Sequence, residues 1–295
     1  MDKLLLIALL GGFGVMLGWG ITDFFAKKTV NKIGDAATLF WMQFLGIFPL
    51  LFIFIFNFNI NDINLSNILL VSFWALVDGA GYLFFFRALE KGKVSIISPI
   101  VASYSAFSVI ISAIIFGEKI EIQTIIFLLL IFFGIMIASV NLRQIRKDVS
   151  DNKNKIRGIP EALFAVLLFA IWFPFWNDFI NKGESWITLL LGFRIFIAIF
   201  VFLFAKYKFI PLKIKNIKIF RWIILMALLD IGAYLALTWS YSKSNYTSLI
   251  AMLSSTFFVP TLILAKIFLK ERLNVSQWIG ITLIFTSIIL LALYG

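Results

Sequence analysis

Two aspartates stand inside long apolar runs, and each has a tyrosine four residues on: Asp78 with Tyr82, and Asp230 with Tyr234. On a helix, residues four apart share a face. Ionisable groups at membrane depth are costly, so they turn toward a cavity or toward one another. Two further polar residues lie within apolar runs, Gln43 and Arg194. A carboxyl group in an apolar site can carry a proton, because burial disfavours its charged form. A guanidinium can hold a carboxylate through two parallel N–H donors. Together these residues outline a central cavity with two carboxylates, two phenols and one guanidinium. The competing reading is a permanent Asp–Arg pair that braces the helices, and the residues alone leave both open.

Other polar and aromatic residues surround these. The fourth apolar run carries Ser98, Ser103 and Tyr104, and the ninth carries Ser255 and Thr256. Small residues let helices approach closely, so these either line the cavity or serve packing. Pro99 and Pro260 interrupt backbone hydrogen bonding and predict bends. Trp19 and Trp172 lie 153 residues apart and deep in their runs, where they either line the pathway or anchor the helices. Asp23 with Lys27, and Asp178 with Lys182, form i, i+4 pairs near run ends and read as local stabilisers or gate elements. Glu118 and Glu271 sit at turns into following runs, where a carboxylate complements a helix N-terminus.

Ten apolar runs of about 19–23 residues position these groups, each long enough to cross a hydrocarbon core as a helix. They lie near Leu4–Phe25, Thr38–Phe56, Ile68–Phe86, Val94–Phe116, Ile122–Val140, Ala162–Ile180, Ile187–Ala205, Phe220–Ser240, Thr247–Leu269 and Val275–Tyr294. Asp78 to Asp230 and Tyr82 to Tyr234 are each 152 apart, and Glu118 to Glu271 is 153. A near-constant offset marks an internal repeat. It divides the chain into a first repeat at 1–140, a polar basic linker at 141–158 and a second repeat at 159–295. Five crossings is an odd number, so the second repeat enters the membrane inverted. Inverted repeats with a site at the midplane are the architecture of secondary transporters. The expected fold is therefore an all-α integral membrane protein, with ten transmembrane helices as two inverted five-helix repeats around a central cavity.

Lysine and arginine set the orientation. The links after runs 1, 3, 5, 7 and 9 and their flanks hold 21 of these residues, and the opposite side holds 4. Short basic links stay in the cytoplasm, so the expectation is a multi-pass protein of the cytoplasmic membrane with both termini outside.

Composition excludes several classes. The chain of 295 residues is 62% hydrophobic, against about 45–50% for soluble domains. Cysteine and histidine are absent, which removes disulfides, thiol chemistry and the commonest metal ligand and general base. No nucleophile–His pair and no metal cluster is present, so no enzyme, metal or cofactor is expected. No Gly-rich phosphate loop with lysine occurs, which removes ATP coupling within the chain. The net charge of +11 belongs to the membrane links, so nucleic acid is not an expected partner.

Gly18-Trp19-Gly20 with Lys27 closes the first run. Ala88-Leu89 opens the stretch leading to Gly117-Glu118, and Gly134 follows. Pro260 leads to Leu269-Lys270-Glu271-Arg272-Leu273, then Gln277 and Gly280. With these features the chain resembles the drug/metabolite transporter superfamily, in its ten-helix EamA branch with two EamA repeats. The resemblance spans nearly the whole chain and implies transport of amino acids, other metabolites or drugs. Two departures stand out: Phe107 replaces the proline expected opposite Pro260, and the link after run 2, often basic in that family, has no Lys or Arg. Set against the resemblance, the second implies an orientation opposite to that of many relatives.

The function expected is secondary active transport of small polar or amphipathic, amino-acid-like metabolites, as proton-coupled export by alternating access. A metabolite or sugar uptake carrier, a lipid-handling membrane protein and sodium as coupling ion are the alternatives. The oligomeric state is open, and a monomer suffices.

Overall fold

The computed structural model describes residues 3–56, 64–117, 122–139, 158–180, 186–214, 216–271 and 274–294. The linker expected at 141–158 lies outside these except for Gly158, as do Glu118, Lys182 and Arg272.

Helices α1 (Lys3–Ile33), α2 (Asp35–Phe56) and α3 (Leu65–Lys91) form the first three crossings. The fourth is broken into α4 (Val94–Ala102) and α5 (Tyr104–Ile115), and α6 (Ile122–Ser139) completes the first half. The second half repeats the pattern. Helices α7 (Ile159–Ile180), α8 (Trp186–Tyr207) and α9 (Ile217–Lys243) lead to a broken ninth crossing. Its two pieces are α10 (Thr247–Ser255) and α11 (Phe258–Phe268), and α12 (Val275–Tyr294) follows. Helices α1 and α3 overrun their apolar runs on the lysine-rich side, to Ile33 and Lys91.

The halves are interleaved. Helix α1 packs on α9, and its counterpart α7 packs on α3. The pairs α2–α8 and α6–α12 join equivalent helices, and α5–α10 mirrors α4–α11. This exchange pattern is that of a pseudo-two-fold axis, and with five crossings per half it inverts one half relative to the other. The outer surface is apolar: Phe52, Phe56 and Ile114 are 66%, 74% and 77% exposed. Such a surface suits lipid, while Trp172, Arg194, Tyr234 and Asp230 are fully enclosed.

Glycines set the closeness of α1. A Cβ at Gly18 would stand 2.8 Å from the Leu229 carbonyl oxygen of α9. One at Gly20 would stand 2.5 Å from the Phe257 carbonyl oxygen, just before α11. The Gly18-Trp19-Gly20 triplet thus lets α1 touch two backbones, with Trp19 between them.

Both helix breaks fall at equivalent positions. At Ser103 the side chain bonds the Ile100 carbonyl at 2.7 Å, and at Thr256 it bonds the Leu253 carbonyl at 2.6 Å. A hydroxyl that takes a carbonyl within the preceding turn loosens the helix. Pro260 adds to the second break, since it has no N–H for the Thr256 carbonyl, which accepts from Val259 instead. Phe107 stands at the matching place in the first half, yet that break forms too. Each break thus combines a backbone-directed hydroxyl with a proline four residues away, Pro99 before Ser103 and Pro260 after Thr256.

The turns that end α5 and α11 also correspond. Gly117 and Lys270 both adopt positive φ, +66 and +56, the left-handed cap that closes a helix. The second turn aims Glu271 across the molecule, where Oε2 accepts from the Ser95 amide at the start of α4 (3.1 Å). Gln277 bonds the Ser95 carbonyl at 2.9 Å. Glu271 therefore complements the N-terminus of α4 in the other half, not that of α12. Lys27 bonds the Leu89 and Gly92 carbonyls, at 2.5 and 2.9 Å, and caps the C-terminus of α3. Arg87 pairs with Asp35 at 2.8 Å, and Lys91 pairs with Glu161. All of these contacts lie on the lysine-rich side.

Candidate functional site

Helices α3 and α9 cross the centre and bring the two Asp–Tyr pairs together, with partners exchanged. The Tyr234 hydroxyl donates to Asp78 Oδ2 at 3.0 Å, and the Tyr82 hydroxyl approaches Asp230 Oδ1 at 3.4 Å. Each tyrosine serves the aspartate of the other half. The spacing within each half put these residues on one helix face, and the pseudo-two-fold axis turned each face toward its mate.

Arg194, from α8, is committed to this network. Its Nη1 lies 2.5 Å from Asp230 Oδ2, with both side chains wholly buried. It also bonds Gln43 Oε1 of α2, and its guanidinium stands 4.2 Å from the centre of the Tyr234 ring. Arg194 and Gln43 thus sit opposite each other on the α2–α8 seam.

A narrow pocket opens beside this network. Trp19, Asp78, Tyr82, Tyr104 and Tyr234 line it, all singled out by the sequence. Its free volume is about 20 Å³, room for about one water molecule. Asp230, Arg194 and Gln43 stand behind its wall. Trp172 is also behind, stacked on Trp176 at 5.4 Å and edge-on to Tyr234 at 5.9 Å. Ser103, Ser255 and Thr256 spend their hydroxyls on backbone carbonyls at the breaks. Ser98 is buried with a hydroxyl that bonds nothing, and it does not reach the pocket.

The pocket also contains residues that the sequence did not single out for it. Asp23 of α1 lines it together with Phe85, Phe169, Phe173 and Phe257. Asp23 is 3% exposed and makes no ion pair with Lys27, which reaches the α3 carbonyls instead. One signal was present: Asp23 lies one turn after Trp19, on the same face. Tyr104 stacks on Phe173 at 4.4 Å, and Trp19 meets Tyr234 edge-on at 5.3 Å. Tyr104 and Phe257 flank the two helix breaks at positions 153 apart.

The arrangement is an aromatic shell with carboxyl groups at the interface of two inverted halves, with room for about one water molecule. Known proteins agree on this architecture. Residues 6–140 and 156–293 each match the EamA-like transporter family. An uncharacterized transporter of Archaeoglobus fulgidus is 25% identical over 213 residues, covering 72% of this chain and 71% of its own. In fold, a crystal structure of another protein superposes with a TM-score of 0.73 over 98% of this chain and 99% of that one, at 16% identity. With the family found once in each inverted half and a polar site between them, the chain belongs to the EamA-like transporter family and is a multi-pass membrane transporter.

Proposed function

We propose that the chain is a secondary active transporter of the cytoplasmic membrane that exports small polar or amphipathic metabolites in exchange for protons, by alternating access. The observation that carries this reading is the exchanged pair of Asp–Tyr contacts between the halves. As one half rocks against the other, contacts across the axis are the ones that remake. Asp78 is the coupling group in this scheme. It lines the pocket and bonds only the Tyr234 hydroxyl (3.0 Å). A carboxyl at this depth changes access neutral, either protonated or matched by a bound cation. Asp230 has Arg194 as counter-charge and acts as the brace on which Tyr82 and Tyr234 are oriented. The lysine-rich side faces the cytoplasm, with both termini outside.

The test is flux in proteoliposomes under an imposed pH gradient, across a panel of amino acids, amines and sugars. Asp78→Asn should abolish uphill accumulation while exchange of labelled for unlabelled substrate persists. Normal accumulation by Asp78→Asn would sink the coupling assignment. A sodium gradient in place of the pH gradient tests the other coupling ion.

A further inference from the structure

The pocket contains acids and no base. Asp23 and Asp78 are its charged lining residues, and the other eight side chains are aromatic. Asp23 Oδ2 is buried without a hydrogen-bond partner, and so is the Tyr104 hydroxyl. The residues carrying them are 3% and 1% exposed. The nearest guanidinium stands behind Tyr234 and is 2.5 Å from Asp230. Lys27, one turn from Asp23, is turned to the end of α3. Three carboxyl groups thus share one guanidinium, and the two in the pocket have no cation of their own.

We propose that this pocket is a recognition site for a small organic cation, an ammonium group on a compact apolar body. Asp23 holds the charge, the Tyr104 hydroxyl accepts a hydrogen bond from the ammonium group, and Trp19, Phe173 and Phe257 enclose the body. Buried carboxylates need a counter-charge, and ring faces attract a cation, tryptophan most strongly. An anion would meet two carboxyl groups and the negative faces of the rings. This proposal rests on the transport reading and sharpens it: the substrate is gripped by its amine, not by a carboxylate on Arg194. The pocket must widen to admit such a molecule. Tyr104 and Phe257 flank the two helix breaks, so a swing of α5 or α11 at either break widens it.

Three probes with one phenylalkyl skeleton test this: 2-phenylethylamine, 3-phenylpropionate and phenylalanine. Binding to the purified full chain is read by thermal shift and by intrinsic tryptophan fluorescence, and transport by flux in proteoliposomes. The amine should raise the melting temperature and change the fluorescence, and the propionate should do neither. Asp23→Asn should weaken amine binding by about tenfold to a hundredfold. Tyr104→Phe deletes only a hydroxyl and decides the matter if Asp23→Asn does not fold. It should weaken binding of the amine by at least about threefold. It should spare the N,N,N-trimethyl derivative, which has no N–H to donate. Propionate binding as tight as that of the amine overturns the proposal, as does amine binding that neither variant changes by twofold. Proton-driven flux of phenylalanine or a sugar without amine binding also overturns it, and leaves the transport reading standing. Amine binding with no flux of any probe under a pH or a sodium gradient does the reverse.

Discussion

Replacing Asp230 by asparagine should unsettle the fold far more than the same change at Asp78. Asp230 Oδ2 lies 2.5 Å from Arg194 Nη1 in a site closed to solvent. Neutralising one partner of a buried ion pair costs about 3–5 kcal/mol, because the other charge is left uncompensated. Part of this is offset. Asparagine keeps an acceptor for Tyr82, and Arg194 keeps Gln43 and the Tyr234 ring, a contact of about 0.5–2 kcal/mol. The expected loss is therefore about 3 kcal/mol. At about 2–4 °C per kcal/mol, the melting temperature should fall by roughly 6–12 °C. Asp78 bonds a neutral phenol at 3.0 Å, and asparagine accepts that bond as well, so Asp78→Asn should move the transition by no more than about 3 °C. The double variant Asp230→Asn with Arg194→Met removes both charges and should recover most of the loss. Unfolding in detergent, followed by tryptophan fluorescence, measures all three. If Asp230→Asn melts within about 2 °C of the parent, Arg194 is not committed to Asp230. Its guanidinium is then free to meet a substrate, and the assignment of roles at the site is wrong.

Three further outcomes follow from the packing and the charge pattern. Gly18→Ala and Gly20→Ala should each cost about 1–3 kcal/mol by thermal unfolding, since the added carbon meets carbonyl oxygens at 2.8 and 2.5 Å. Gly232→Ala, with nothing within 4 Å of its new carbon, should be neutral or slightly stabilising. A fluorescent reporter that matures only in the cytoplasm, fused after Gly295, should stay dark, because 21 basic residues lie with the links on one side and 4 on the other. A bright fusion would reverse the assigned orientation.

The fold was legible because its signals are coarse. Ten apolar runs and an offset of 152–153 residues specify crossings and repeat. The site was legible in part, for a physical reason. A membrane helix is apolar on nearly every side, so periodicity does not say which face turns inward. Asp78 and Tyr82 share a face, but nothing local says that each would find its partner in the opposite half. Arg194 had equal claims on a substrate and on an aspartate, and only the crossing of α8 with α2 and α9 decides for Asp230. Asp23 was hidden by Lys27: four residues apart, the two resemble a surface ion pair, whereas the lysine caps α3 and leaves the aspartate inside. The helix breaks were expected at prolines, and each forms four residues from its proline, at a hydroxyl bonded to the preceding turn, Ser103 or Thr256.

The exchange of phenols between the halves also has a consequence for how the chain is made. Tyr234 follows Asp78 by 156 residues. At synthesis rates of about 5–20 residues per second, Asp78 waits roughly 8–30 s before its partner leaves the ribosome. During that interval the first five helices hold a carboxyl group at membrane depth with its partner phenol not yet made. Asp230, by contrast, enters when Tyr82, Gln43 and Arg194 are already in place. The early half is thus the vulnerable one during insertion, and the late half arrives with every contact its buried acid requires.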